Sequence, residues 1–223
     1  MNVELLLHRG AAELGLPLDD TAVQKFERYR RLLALWGQKI NLTALHDPQQ
    51  VVIRHFLDSL ALVRRLPPVA ELPAPTLVDV GSGAGLPGAV CALLRPELRV
   101  TLVERVSKKA AFLLTLRREL GLQYEVCADD ATRLPAQFGI VVSRAALPLG
   151  RWLPLGRKLA RPGGVVLAMT STSEPLPPLP PGLALKTDET YDVGAGPHRL
   201  LVYTATAPAS REQAEPLAPV TAG

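Results

Sequence analysis

Two periodicities divide the chain. Val23, Phe26, Tyr29, Leu33, Trp36 and Ile40 recur at helical spacing with basic residues between them, which predicts an amphipathic helix. Val52, Phe56, Leu60 and Val63 repeat that pattern after Asp47-Pro48. This dipeptide suits a helix start, because proline in the first turn forfeits no helical hydrogen bond. A proline-rich connector over residues 66–75 then closes the helical stretch. Beyond it, short apolar and β-branched runs over 76–80, 99–104, 124–127, 140–143 and 165–169 read as strands. The intervening stretches read as helices. One opens at the glycines 81–88 and runs to about Arg95. A second is capped by Ser107 and stopped by Gly121. A third covers 152–160 and ends at Arg161-Pro162-Gly163-Gly164. Strands alternating with helices at this pitch predict an α/β fold with a mostly parallel, doubly wound sheet. A second proline cluster spans 174–182, and no convincing helix separates residues 183–187 from 199–204. Those two runs are therefore expected as an antiparallel pair at the sheet edge. The organisation expected is a helical extension over 1–70, an α/β domain over 71–206 and a tail over 207–223. The tail lacks periodicity and is expected to be disordered.

Composition narrows the class. With 223 residues, 48% of them hydrophobic, one sizeable core can form. Aromatic residues make up only 4%, so aliphatic side chains must fill it. The amino-terminal leucine run is flanked by Glu4 and Arg9 and is too short for a signal peptide or a membrane span. A cytoplasmic protein without membrane contact is expected. Cys91 and Cys127 fit no metal-ligand spacing; buried thiols are expected, and no metal. The net charge of +4 alone is compatible with plain solubility. Its distribution says more. Arg105, Lys108, Lys109, Arg117 and Arg118 crowd one stretch, and Arg144, Arg151, Arg157, Lys158 and Arg161 crowd another with no acid between them. Such clusters raise the case for a nucleic-acid partner.

The candidate chemistry lies in Val78-Asp79-Val80-Gly81-Ser82-Gly83-Ala84-Gly85-Leu86-Pro87-Gly88. Glycines directly after a strand let a ligand approach backbone where any Cβ would collide, and the helix that follows offers free N–H groups. Two cofactors compete for this loop. Gly83 to Gly88 fits the G-x-G-x-x-G dinucleotide fingerprint, with Glu104 about 20 residues on as the ribose acid. S-adenosylmethionine is favoured on three grounds. Asp79 precedes Gly81 by two residues, as in the methyltransferase pattern of acid, x, Gly-x-Gly-x-Gly. A carboxylate there suits the methionine ammonium group and would repel a pyrophosphate. Too little chain follows the fifth strand for a second nucleotide half and a substrate domain. Glu104 would then bind the ribose hydroxyls, the alternative being a surface acid paired with Lys108. Asp129 or Asp130 would receive the adenine amino group, the alternative being solvated loop acids.

Asn41-Leu42-Thr43, Arg54-His55-Phe56-Leu57-Asp58-Ser59-Leu60, Asp79 through Gly88, and Ser143-Arg144-Ala145 occur in that order. Together they resemble the bacterial ribosomal RNA small subunit methyltransferase G family, also called glucose-inhibited division protein B, over residues 32–203. The resemblance implies a Rossmann-like class I S-adenosylmethionine-dependent methyltransferase sheet. It also implies methylation of N7 of guanine 527, in the 530 loop of 16S ribosomal RNA, with the 30S subunit as partner and a monomeric enzyme. The cofactor set it implies is Gly81, Leu86, Glu104, Arg105, Val106, Ala131, Thr132 and Arg144, joining Asp79, Gly83, Gly85 and Asp130. Lys108, Lys109, Arg151 and Arg199 are the expected RNA contacts. The chain departs from the family where Thr132 replaces a common acid, Thr170-Ser171 a common Lys-Gly, and His198-Arg199 a usual Arg-His.

Guanine N7 carries an exposed lone pair and no proton, so no general base is expected; alignment and proximity carry the reaction. No Pro-Pro-aromatic motif follows the fourth strand, and neither cysteine stands where a nucleophile for cytosine C5 is needed. Arg144 is expected to position the base or an adjoining phosphate, the alternative being a structural arginine satisfying a carboxylate. His55 and Asp58 share a helix face, either on the RNA side or locking the helices to the sheet. Asn41 and Thr43 are expected to brace the nearby loop. Competing functions are an NAD-dependent oxidoreductase and a non-catalytic ribosome-binding module of the same fold.

Overall fold

The helical periodicity of the first seventy residues becomes helix in the computed structural model, which describes residues 2–135 and 137–207. The expected tail therefore lies outside the described residues, Ala207 apart. One helix more is present than the pattern suggested. Helix α1 (Val3–Glu13) is capped by the Asn2 side chain, which accepts from Glu4 N–H. Its apolar face is short, and Gly10 interrupts it because a Cβ there would sit 2.4 Å from Leu57. Helix α2 (Asp20–Gly37) starts on Asp19, whose carboxylate accepts from Ala22 N–H, and buries Val23, Phe26, Tyr29 and Leu33. Ile40 falls beyond its end. After Asp47, which caps through Gln50 N–H, α3 (Pro48–Val51) widens into a π-helical turn (Val52–Leu57) and continues as α4 (Asp58–Val63). Every residue of α4 is buried. Among the described residues no helix is long and apolar enough to cross a membrane.

Among the described residues the sheet has seven strands: β1 (Thr76–Val80), β2 (Arg99–Val103), β3 (Tyr124–Cys127), β4 (Phe138–Arg144), β5 (Ala160–Ser171), β6 (Leu183–Asp192) and β7 (Pro197–Ala205). Their spatial order is β3-β2-β1-β4-β5-β7-β6. The first five run parallel, while β7 is antiparallel to both β5 and β6. The expected edge hairpin is therefore present, with both strands longer than expected. Its turn is organised by Asp192, whose Oδ1 accepts from Gly194, Ala195 and Gly196. The two pairs that depart from the family pattern face each other: Thr170 opposes Arg199 and Ser171 opposes His198.

Helices α5 (Gly88–Leu94), α6 (Ser107–Leu120) and α7 (Leu149–Leu159) connect the parallel strands. Three local expectations are corrected. Ser107 does not cap α6; Val106 holds the cap position and Ser107 is the first helical residue. Arg161 to Gly164 does not end an element but forms an irregular start to β5, where the register with β4 shifts and Gly163 takes φ +80°. Cys91 is buried, but Cys127 is only half-buried.

Layering explains the pattern. Leu7, Phe26, Tyr29, Phe56, Leu60, Leu77, Val90, Leu102 and Phe112 belong to one apolar cluster, so the amino-terminal helices share a core with one sheet face. Val78, Trp152, Leu153, Val166 and Leu201 form the cluster on the other face, under α7. The helical layer also reaches the glycine loop. The buried Tyr29 hydroxyl donates to Ala84 C=O at 2.5 Å, and its ring leans on Phe56 with centroids 5.3 Å apart. Tyr29→Phe is expected to lower unfolding free energy by about 1–3 kcal/mol, the cost of a stranded buried carbonyl. Urea denaturation with an unchanged m-value checks this.

Candidate functional site

The carboxyl ends of β3, β2, β1 and β4 lie side by side, at the point where the chain reverses its direction across the sheet. Ligands of open α/β sheets bind in such a crevice. The glycine loop leaves β1 there. Gly81 and Ser82 N–H both donate to Val103 C=O at 3.0 Å, tying the loop to β2. Gly81 and Gly83 adopt φ +74° and +55°, which L-residues seldom take. The glycines do different work. A Cβ on Gly81 would lie 2.5 Å from Ala146, on the loop after β4. A Cβ on Gly83 would meet nothing nearer than 3.8 Å, so this backbone faces open space. Gly85 turns inward, where a Cβ would collide with the Tyr29 hydroxyl at 2.7 Å. Leu86 is buried beside it.

Two acids hold this loop from beneath and from the side. Glu104 is buried just past β2; its Oε2 accepts from Gly83 N–H at 2.9 Å and its Oε1 from Val106 N–H at 2.8 Å. It is thus a loop anchor, not a surface acid paired with Lys108, and each carboxylate oxygen keeps a lone pair for a further donor. Asp79 is 1% exposed within β1. Its Oδ2 accepts from Gly88 N–H at the start of α5, 3.0 Å away, and Oδ1 is buried with no hydrogen-bond partner among the described residues. Burial lifts this carboxyl to about 6, despite the Gly88 and Ser82 hydrogen bonds and the Arg144 charge, with Glu104 adding to the rise. An orphaned buried oxygen at the end of β1 and an open glycine backbone fit a cationic donor group.

After β3, Asp130 caps a short 3-10 turn (Ala131–Arg133), its Oδ1 accepting from Thr132 N–H and hydroxyl. Those bonds hold its carboxyl below the usual range. Asp129 accepts from Arg133. Arg105 is exposed and stands 3.8 Å from Asp130, and the neighbouring Val106 is 48% exposed, a bare apolar side chain at the crevice rim.

Arg144 ends β4. Its Nη1 donates to Arg54 C=O at 3.1 Å and to Asp58 Oδ2 at 3.0 Å, so the carboxylate-satisfying role is real for one edge of the guanidinium. Tyr191 of β6 donates to the other Asp58 oxygen at 2.6 Å. His55 Nδ1 lies 3.1 Å from the same Arg54 carbonyl, which can only accept; Nε2 therefore accepts from the Thr43 hydroxyl at 2.7 Å. Burial and then the Arg144 charge lower His55 to about 4, so it is neutral. The π-helical turn carrying Arg54 and His55 widens the helix where the network needs it. Asp58 and the Arg54 carbonyl thus lock the helices to β4, while His55 ties the π-helical turn to Thr43 within the helical extension; Asn41 is exposed. Of the basic residues, Lys108 and Arg151 are exposed and Lys109 half-buried. Arg199 is held by both oxygens of Asp188, which raises its already high value. Two residues that shape the site, Tyr29 and Tyr191, escaped the sequence reading. Tyr29 was legible only as an apolar helix position, and Tyr191 lies past the stretch read as strand.

Asp79 and His55 push stability in opposite directions with pH. Asp79, raised above its unfolded value, stabilises below that value, and this is lost as pH climbs toward 6. His55, depressed, stabilises above about 6.5, and this is lost as pH falls toward 4. Each slope is about 1.4 kcal/mol per pH unit, so they nearly cancel between pH 4 and 6. Asp79→Asn is expected to remove the cancellation. Stability should climb steeply with pH across that window and exceed the parent at pH 8 by up to about 3 kcal/mol. Chemical denaturation at several pH values checks both.

With this geometry in place, comparison with known proteins is specific. The family model for rRNA small subunit methyltransferase G matches residues 22–175. A ribosomal RNA small subunit methyltransferase G of Alkalilimnicola ehrlichii is 42% identical over 217 residues, covering 94% of this chain and 96% of that protein. One from Anaeromyxobacter dehalogenans is 44% identical, covering 73% of this chain and 76% of its own. Among solved structures, a magnesium protoporphyrin IX methyltransferase from Synechocystis with bound SAM aligns with TM-score 0.57 at 15% identity, covering 85% of this chain and 98% of that one. The protein MtNAS in complex with MTA and tNA aligns with TM-score 0.57 at 15% identity, covering 92% and 86%. At such identities the structures speak for the fold, a methyltransferase-type α/β sheet. The sequence relatives speak for more: the chain belongs to the ribosomal RNA small subunit methyltransferase G family.

Proposed function

We propose that this chain transfers the methyl group of S-adenosylmethionine to N7 of a guanine in the 530 loop of 16S ribosomal RNA, position 527. We further propose that it acts on the 30S subunit or its precursor, as a monomer in the cytoplasm. The observation that carries the reading is the orphaned Asp79 oxygen at the end of β1, together with the Gly83 backbone that faces open space and Glu104 one strand away. Asp79 and the loop carbonyls would hold the ammonium end, Glu104 the ribose hydroxyls, and Val106, Asp130, Ala131 and Thr132 the adenine. The same carboxylates oppose a pyrophosphate, which disfavours a nicotinamide dinucleotide.

When bound, the cofactor supplies an electrophilic methyl carbon on a sulfonium. The lone pair of N7 needs no deprotonation to attack it. The protein's task is therefore to align the base and exclude water. Arg144 is suited to this because its Nη1 is pinned by Arg54 and Asp58 while its Nη2 and Nε bond to nothing among the described residues. It can reach a base edge or phosphate in a fixed orientation. Lys108 and Arg151 lie exposed, and Lys109 half-buried, on the first turns of α6 and α7, where they would meet backbone phosphates.

Incubation with methyl-tritiated cofactor and 30S subunits from cells lacking this gene should label the 16S RNA, with the mark mapping by mass to one guanine N7. Cofactor binding with no label would indicate a non-catalytic module, and saturable NAD binding without S-adenosylmethionine binding would overturn the reading. Arg144→Lys is expected to cut kcat by about tenfold or more through loss of the planar fork, leaving cofactor Kd within about threefold. Turnover at the parent rate would remove its positioning role.

A further inference from the structure

The amino ends of the strands hold a second concavity, at the pole opposite the glycine loop. It is a groove of about 620 Å³ over the starts of β1, β2, β3 and β4. Three arginines line it, each from a different element: Arg99 at the head of β2, Arg117 from α6 and Arg161 from the irregular start of β5. They come from separate places in the sequence, since Arg117 belongs to one basic cluster and Arg161 to the other. All three are exposed, and none makes an ion pair among the described residues. Two are aimed by the fold. Arg117 Nη1 donates to Tyr124 C=O at 3.1 Å, and Arg161 Nε donates to Gln137 C=O at 2.9 Å. Each keeps further N–H groups free. Glu125 is the one acid of the lining, so three cations face one anion.

We propose that this groove is a second RNA-docking site, in which Arg99, Arg117 and Arg161 grip consecutive phosphates of the ribosomal RNA remote from the target base. Oriented guanidinium forks suit phosphate oxygens, which accept two parallel N–H bonds. The groove is open along one side and its floor is made of strand ends, so a sugar–phosphate chain can lie across it. Strands of this length rise only about 3.3 Å per residue, which puts the two poles within reach of one folded RNA segment. The inference rests on ribosomal RNA being the substrate.

The test compares the parent with Arg99→Ala/Arg117→Ala/Arg161→Ala in binding to unmethylated 30S subunits, across a salt series from about 50 to 200 mM. Losing three phosphate contacts should reduce the slope of log K against log salt by about 2, near 0.7 per contact. KM for 30S subunits should rise about tenfold while kcat and S-adenosylmethionine affinity stay at parent values. Arg99→Glu, whose side chain bonds to nothing among the described residues, should give a smaller shift of the same kind and guards against misfolding of the triple variant. Parent-like salt slope and KM in a folded variant overturn the inference, as does saturable binding of inorganic phosphate or GMP that the triple substitution removes without changing RNA binding. A parent protein that binds no 30S subunit at all would instead strike at the substrate reading itself.

Discussion

The catalytic end of this protein depends on a buried carboxylate that is only half satisfied. Glycines 81 and 83 have no side chains with which to hold their own shape, so the bend must be fixed from outside. Asp79 does so from below through Gly88 N–H, Glu104 from the side through Gly83 N–H, and Tyr29 from the helical layer through Ala84 C=O. Of these, Asp79 carries the energetic burden. Its burial raises its proton affinity, and an oxygen left without a donor in the interior is a cost that nothing within the described residues offsets. Such a cost is retained where a ligand repays it. If Asp79 holds the cofactor as proposed, the site is less stable without it than the fold could otherwise be, a common relation between stability and function.

The helical layer is accordingly part of the site rather than an appendage to it. It shares one apolar cluster with the sheet. It also supplies Asp58 and the Arg54 carbonyl, which fix one edge of Arg144. Tyr191, from β6 on the far side of β5 and β7, closes the same network on Asp58. Three regions distant in sequence thereby converge on one guanidinium. A neutral His55 belongs to this arrangement, since a second positive charge beside Arg144 would oppose it.

Much of this was legible before any coordinates. Strand–helix alternation gave the parallel sheet because strands buried on both faces must be apolar throughout, and the absence of a helix after residue 182 gave the edge hairpin. Asp79, Glu104 and Arg144 were legible because motif spacing places them at strand ends. What escaped was set by tertiary contact. Gly85 belongs to the same glycine run as Gly83, yet it serves Tyr29 while Gly83 faces outward, and no local pattern separates the two. Helix α1 was missed because its apolar stripe is short and broken by Gly10, a residue whose reason is Leu57, 47 positions on. Arg199 looked like a surface cation, but the β6–β7 register sets it opposite Thr190 and so within diagonal reach of Asp188, which binds it.

The same distinction decides which positive charges can serve a polyanion. Counting basic residues along the chain made two clusters of five; the fold redistributes them. Arg118 and Arg105 face nearby acids, Arg157 donates to Thr206 C=O and Lys158 to Thr132 C=O, and Arg144 is half committed to Asp58. Among the cluster charges bound to no acid, Lys108, Lys109 and Arg151 stand on the first turns of α6 and α7, and Arg117 and Arg161 line the groove at the amino ends of the strands, where Arg99 joins them. A modest net charge of +4 therefore understates what an RNA meets. Long-range attraction depends on net charge and is screened within about 8 Å at physiological salt. Contact with phosphates depends instead on where unpaired guanidinium and ammonium groups are held, and here the first turns of α6 and α7 and the amino ends of the strands place them.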